Sequence, residues 1–332
     1  MSESRSIWRD GRNALALVLR SPLSLFILFN LTFVTALLLL QGTGLQGLAY
    51  LRSDRSQFWH MIIALTPTAW VTSLFLLLGD FGSYRSAWPR TRWGRMAVVL
   101  CLVPLLLLIA LPLVAQFFFW RESPRLLTTV LLPMVPDFIP KLVSVCILGL
   151  LIATLHASAM VGLHIQLLGR LPKYQHLGEP PGAESLNEDV LWYQRHQRQL
   201  RRLLRLVSTI LGLSILSVGA LRNLINSAIT SPAELLSTAP VMSYGLYYTG
   251  IIASLYVPAH RTLKDVGQVL AERLVWQTLG THPTWKQRFE EQQAVRTQLG
   301  LRDSALHELQ QGLSVLAPFL ASISSLAIGS GG

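Results

Sequence analysis

Residues 194–224 constrain this chain more than any other stretch. They open with Arg195, Arg198, Arg201, Arg202 and Arg205, five arginines within eleven residues. They then run without a break into residues 206–221, which hold neither charge nor proline. Such a run crosses a bilayer as helix, because the hydrocarbon core offers no partner to a backbone polar group. Arginines gathered at one end of a span mark its cytoplasmic side. Once that end is fixed, alternation orients every other span.

The remaining apolar runs give the other spans. They fall at about 23–40, 58–78, 96–119, 138–168 and 241–257, with 206–224 as the fifth in order. Pro22 starts the first, and Pro104 and Pro112 are placed to kink the third. The reading is an all-α integral membrane protein with six transmembrane helices and a helical cytoplasmic region. Its parts are an amphipathic amino-terminal segment 1–22, spans one to four over 23–168, a basic loop and helix 169–205, spans five and six over 206–257, and a tail 258–332. The first 20 residues are polar and mixed in charge, so 23–40 is expected to be retained as an anchor.

Charge placement supports this topology. Only Arg52, Arg55, Arg121, Arg125, Lys141 and Arg222 fall on the side opposite the arginine rod, six of 28 basic residues. Both termini are therefore expected in the cytoplasm, with the protein in a plasma membrane of the bacterial inner-membrane type. The net charge of +11 would suit a nucleic-acid binder. Here the basic residues flank apolar runs, so a topology signal explains them and nucleic acid is disfavoured as a partner. Charged residues make up only 14% of the chain, against about a quarter in soluble domains. Cys101 and Cys146 lie inside apolar runs and are too few for a disulfide framework or a metal site.

No phosphate-cradling loop, dinucleotide fingerprint, nucleophile elbow or paired-histidine zinc motif occurs. No catalytic residue, cofactor or metal is therefore expected. His156 and His164 share a span, but eight positions at 100° each turn them about 80° apart, which suits packing or a proton relay better than a shared ion. Asn30 lies mid-span, where a polar group bonds a neighbouring helix or borders a conduction path. Asp137 and Lys141 are one turn apart and read as a local ion pair. Ser208 and Gly212 offer a close-approach face, either within the chain or between copies.

The carboxyl end is less ordinary. Residues 313–328 hold no charge. On a helical wheel Ser314, Ala317, Pro318, Ala321, Ser322, Ser324 and Ser325 share one side, opposite Leu316, Phe319, Leu320, Ile323 and Leu326. A small hydroxylic face fits a narrow wet lumen or contact with other copies, and the stretch reads as a core helix of the cytoplasmic bundle, a re-entrant or pore-associated element, or a membrane anchor.

Two function classes follow. One is a homo-oligomeric channel or membrane-permeabilising effector, gated or assembled by its cytoplasmic helices. Its pore or interface candidates are Ser314, Ala317, Ala321, Ser325, Ser208, Gly212, Asn30, His156 and His164. The other is a non-catalytic membrane subunit or scaffold, permease-like or signalling, that works with a cytoplasmic protein. The expected partners are the bilayer, further copies of the chain and that protein. The orientation has a direct test. A membrane-impermeant thiol reagent applied from outside should label cysteines introduced at Arg52 and Ala233 and miss those at Gly178 and Gln293. Labelling at Gly178 would overturn it.

Overall fold

A computed structural model of the protein describes residues 21–40, 53–79, 81–122, 127–175, 183–229, 231, 235–279, 284–301 and 305–329. Residues 1–20 of the expected amphipathic segment 1–22 lie outside them. The described elements are helical, with no strand among them. In chain order, α1 is Pro22–Leu40, α2 Asp54–Gly79, α3 Phe81–Ala87, α4 Arg92–Glu122 and α5 Phe138–Gln175. Then come α6 Ala183–Ala228, α7 Ala239–Thr278, α8 Trp285–Gln298 and α9 Ala305–Gly329.

Helices α1, α2, α4, α5 and α6 are long and apolar enough to cross a membrane. The expected sixth span lies in α7, where Tyr244, Tyr247, Tyr248 and interspersed small residues dilute the apolar character. Large apolar side chains such as Phe26, Leu31, Leu100 and Leu107 are exposed on α1 and α4, as lipid-facing surfaces require.

Local chemistry sets the ends. Pro22 opens α1, and the Ser21 hydroxyl accepts the Ser24 N–H at 3.2 Å. Ser53 caps α2 by accepting from Ser56 N–H at 3.3 Å, with Asp54 in the first turn. Thr284 and Gln287 form a reciprocal capping box on α8. That helix ends where Gly300 takes φ +64, which lets Leu301 N–H reach Arg296 O at 2.8 Å. Asp137 also has positive φ and meets Lys141 through the backbone, its carbonyl accepting Lys141 N–H at 3.1 Å.

Helices α5, α6 and α7 contain 38, 46 and 40 residues. These are roughly 57, 69 and 60 Å at 1.5 Å per residue. A hydrocarbon core is about 30 Å thick, so each helix extends well beyond it. Their extensions pack together into a bundle. Leu163 and Leu167 of α5, Tyr193, Leu200 and Leu204 of α6, Leu263, Val266 and Leu270 of α7, and Val295 and Leu299 of α8 form one core there. The arginine rod is thus the first half of α6. Arg195, Arg198, Arg202 and Arg205 are exposed, with Arg201 half-buried, while Tyr193, His196, Leu200, Leu203 and Leu204 face inward. At the other end of α6, Arg222 Nε donates to the carbonyls of Leu236 and Ser237 at 3.0 Å, folding that connection over the helix end.

α9 lies lengthwise along the apolar halves of α6 and α7. A Cβ added at Gly219 of α6 would overlap Ser325, and one at Gly245 of α7 would come within 2.7 Å of Ser322 Cβ and 3.1 Å of Pro318 O. Asn223 Nδ2 donates to Ser325 O at 2.7 Å. At the other end Tyr256 Oη donates to Gln311 Oε1 at 3.0 Å. Gln311 therefore sits where α7 leaves its apolar half, and Ser325 sits near the far end of α6.

The glycine contacts give a prediction. Gly219→Leu places a branched chain where Ser325 already stands, and overpacking of this kind costs about 1–3 kcal/mol. Gly250, with nothing near its Cβ position, is the control, and Gly250→Ala should be neutral or stabilising by up to about 1 kcal/mol. Thermal unfolding in detergent reads both. Equal midpoints for the two variants would contradict the packing of α9 on α6.

Candidate functional site

The pore and interface candidates come together in part. A Cβ added at Gly212 would lie 3.9 Å from Ala317 O and 4.0 Å from Ala321 Cβ. Ser322 and Ser325 are 0% and 2% exposed. The small face of α9 is therefore a dry contact within one chain. Its serines bond their own helix: Ser314 donates to Gln310 O, Ser322 to Phe319 O and Ser325 to Ser322 O, at 3.0, 2.6 and 2.8 Å. Ser324, placed on this face by the helical wheel, is exposed instead. Ser208 is buried on α6, with no hydrogen-bond partner for its hydroxyl among the described residues.

Other candidates stand apart. Asn30 is exposed on α1 and its amide donates to Phe26 O of its own helix at 2.8 Å. His156 is fully buried and its Nδ1–H donates to Ile152 O at 2.8 Å. His164 Nε2 lies 3.4 Å from Thr262 Oγ1 of α7. Among the described residues no three potential metal ligands gather.

Sequence reasoning missed a cavity of about 180 Å³ between α2, α4, α5, α6 and α7. Small residues and a proline contribute to its walls. Gly149 of α5 lets Trp70 of α2 lie against the helix, since a Cβ there would meet the ring at 2.6 Å. Trp70 Nε1 then donates across to Ser214 Oγ of α6 at 3.2 Å. On the opposite wall, Pro112 of α4 has no N–H, so the carbonyl four residues back loses its helical donor. Tyr247 Oη of α7 supplies one, donating to Leu108 O at 2.8 Å. Two interhelical hydrogen bonds thus hold the walls. The lining is overwhelmingly apolar. By the scaling for core voids, leaving this volume empty would cost on the order of 4 kcal/mol. The signals for it in the sequence were Gly149, Ala153 and Pro112, which are informative only once their helices are known to face each other.

No family model, curated protein or solved structure matches the chain.

A polar collar lies where the apolar half of α6 meets the rod. Arg202 Nη2 donates to Leu76 O at 2.9 Å, satisfying a carbonyl at the end of α2. Gln199 Nε2 donates to Ser86 Oγ at 3.0 Å, and Gln166 Nε2 to Ser86 O at 2.7 Å. Arg170 pairs with Asp189 at 2.8 Å and stacks over the Trp192 ring at 4.2 Å. His196, in the arginine-bearing half of α6, is 2% exposed. Its Nδ1–H donates to Trp192 O at 2.8 Å, leaving Nε2 3.3 Å from Gln166 Oε1. Only a protonated ring would satisfy both contacts. Burial, with Arg170 and Arg195 adding repulsion, pulls its pKa down from the ordinary 6.5 to about 4, so the ring is neutral at pH 7.

This sets a pH dependence. The unfolded chain takes up a proton near 6.5 and the folded chain only near about 4. The unfolded state holds more protons in that window, so acidification removes up to about 3 kcal/mol of stability, all of it retained above pH 6.5. Unfolding midpoints of the detergent-solubilised protein should fall from pH 7.5 to pH 4.5. His196→Gln should flatten that slope. An unchanged slope in the variant would assign it to other groups.

Proposed function

We propose that this protein is a non-catalytic membrane subunit, permease-like or signalling, that acts through a protein partner bound at its cytoplasmic face. The observation that carries this reading is the continuity of α5, α6 and α7, which leave the apolar region as unbroken helices and join α8 in one packed bundle. A membrane part and a projecting part built on the same rods move as one body. The outer surface of the bundle displays Trp285 and Phe289 of α8 and Trp276 of α7, at 81%, 53% and 65% exposure. Arg288 lies over the Trp276 ring at 4.7 Å. Aromatic residues beside arginine are the composition of protein-binding hot spots.

The basic flanks support a cytoplasmic position for the bundle, in a plasma membrane of the bacterial inner-membrane type. The placement of α9 beside α6 and α7 supports a further crossing, which would put the carboxyl terminus on the opposite face. No Lys or Arg follows Arg302, so the charge count that favoured a cytoplasmic terminus is silent about this helix. The channel reading drew on the small face of α9. Much of that face packs on α6 and α7 within one chain, which supports the subunit reading over the channel.

The test uses the full-length protein extracted in polymer nanodiscs without detergent. It should migrate with a second protein in a complex larger than its own mass. Trp285→Ala with Phe289→Ala should reduce that complex to the chain alone while leaving thermal stability within about 0.5 kcal/mol, as exposed positions do. A closed ring of this chain that conducts ions in planar bilayers without any partner would overturn the reading in favour of the channel.

A further inference from the structure

The cavity between α2, α4, α5, α6 and α7 is elongated. Its wall on α6 runs from Val207 to Leu221, roughly 20 Å of helix at 1.5 Å per residue. A volume of about 180 Å³ drawn out over that length is a narrow slot and suits a chain better than a compact ring. Three hydroxyls on the wall, those of Thr66, Ser214 and Ser217, already have partners in their own helices. Thr66 Oγ1 donates to Ile62 O at 3.0 Å, Ser214 Oγ to Ile210 O at 2.7 Å and Ser217 Oγ to Ser214 O at 2.7 Å. They make no demand on a ligand, and an apolar cavity of this size stays dry and accepts hydrocarbon.

One wall group is different. Trp59 of α2 is 2% exposed, and its Nε1–H has no hydrogen-bond partner among the described residues. A buried indole N–H without an acceptor is costly in a protein interior. Trp59 lies near the Asp54 end of α2, the level at which a bilayer changes from hydrocarbon to ester carbonyls and headgroups. The same end of the cavity is walled by Leu142 of α5 and Leu221 of α6.

We propose that this cavity is a binding site for a fatty acyl group, whose chain fills the slot and whose carbonyl oxygen accepts the hydrogen bond of Trp59 Nε1. Chain length and apolar lining select a linear hydrocarbon. The unpartnered indole selects a chain that ends in an acceptor. An acyl phospholipid and a free fatty acid share this chemistry, and the test separates them.

The full-length protein is reconstituted into phosphatidylcholine vesicles of two kinds. In one, the phospholipid carries a diazirine in an acyl chain. In the other, the lipid is unlabelled and a free diazirine fatty acid is added. After irradiation and digestion, adducts are located by mass spectrometry. Adducts on 142–160 and 207–221 in the first arm identify phospholipid as the source, and in the second arm only, free fatty acid. Adducts confined to lipid-facing positions of α1 and α4 in both arms overturn the proposal. Ala153→Phe fills the slot from α5 and Ile215→Phe from α6. Either one, provided it elutes as the native species, should lower cavity labelling at least fivefold, and unchanged labelling overturns the site. Trp59→Phe keeps the ring and removes the N–H. It should lower cavity labelling about threefold, and no change would overturn the assigned role of the indole.

Discussion

Inside a bilayer there is no water to complete a hydrogen bond, and most of this structure answers that constraint. Helix satisfies the backbone within each segment. The hydroxyls of Thr32, Thr66, Thr68 and Ser214 then turn back onto carbonyls of their own helices, at 2.7–3.0 Å. Asn30 does the same with its amide. The rule also explains where helices are tied to one another. Pro112 strips Leu108 O of its donor, and Tyr247 reaches over from α7 to replace it. Leu76 O, near the end of α2, is met by Arg202 from α6. In both places a carbonyl freed within one helix becomes the anchor for another. The tertiary arrangement is thus written partly in the places where the local ladder fails.

The hydrophobic effect does little to hold helices together in lipid, since the tails are as apolar as leucine. Close approach has to supply the attraction, and α9 shows how. Gly212 and Gly219 of α6 and Gly245 of α7 remove the side chains that would keep α9 away. Alanine and serine on α9 fill the space left. The serines contribute by being small and by hiding their hydroxyls on their own backbone. A face that looks polar on a wheel is apolar in effect, because its donors are already engaged. Hydroxyl-bearing stripes in membrane helices are therefore ambiguous between a wet lumen and a dry seam, and only the residues opposite them decide.

Much of the helical frame was readable in advance because hydropathy and helix breakers are local. The run expected at 23–40 is the helix Pro22–Leu40, and that expected at 138–168 is contained in Phe138–Gln175. The continuity of the arginine rod with the next span was also legible, since nothing between Glu188 and Leu221 breaks a helix. The placement of α9 was not legible, for a physical reason. The small residues of α6, α7 and α9 do not name the helix they face until the three are seen packed together. The cavity was hidden in a different way. Its walls come from five helices, so Gly149 and Pro112 acquire meaning only when Trp70 and Tyr247 are seen against them. The pairing of His156 with His164 fell away already on angular grounds, and the structure gives each a separate neighbour.

Helix α6 joins these features. Its second half walls the cavity from Val207 to Leu221, and its first half carries the core of the projecting bundle through Tyr193, Leu200 and Leu204. It contains no proline, and its two glycines are both set against α9. The usual causes of a kink are therefore absent or clamped, and the helix behaves as a rod. Between its halves lies the collar of Gln199 and Arg202, bonded to Ser86 and to Leu76 O, with His196 buried beside Gln166. Those bonds have fixed lengths and directions. A displacement of α6 at cavity level would have to stretch or break one of them at the collar. It must either be resisted or pass into the bundle whole. One continuous helix thus walls the apolar slot at one end and, at the other, carries the core of the bundle whose outer surface displays the aromatic residues of α7 and α8.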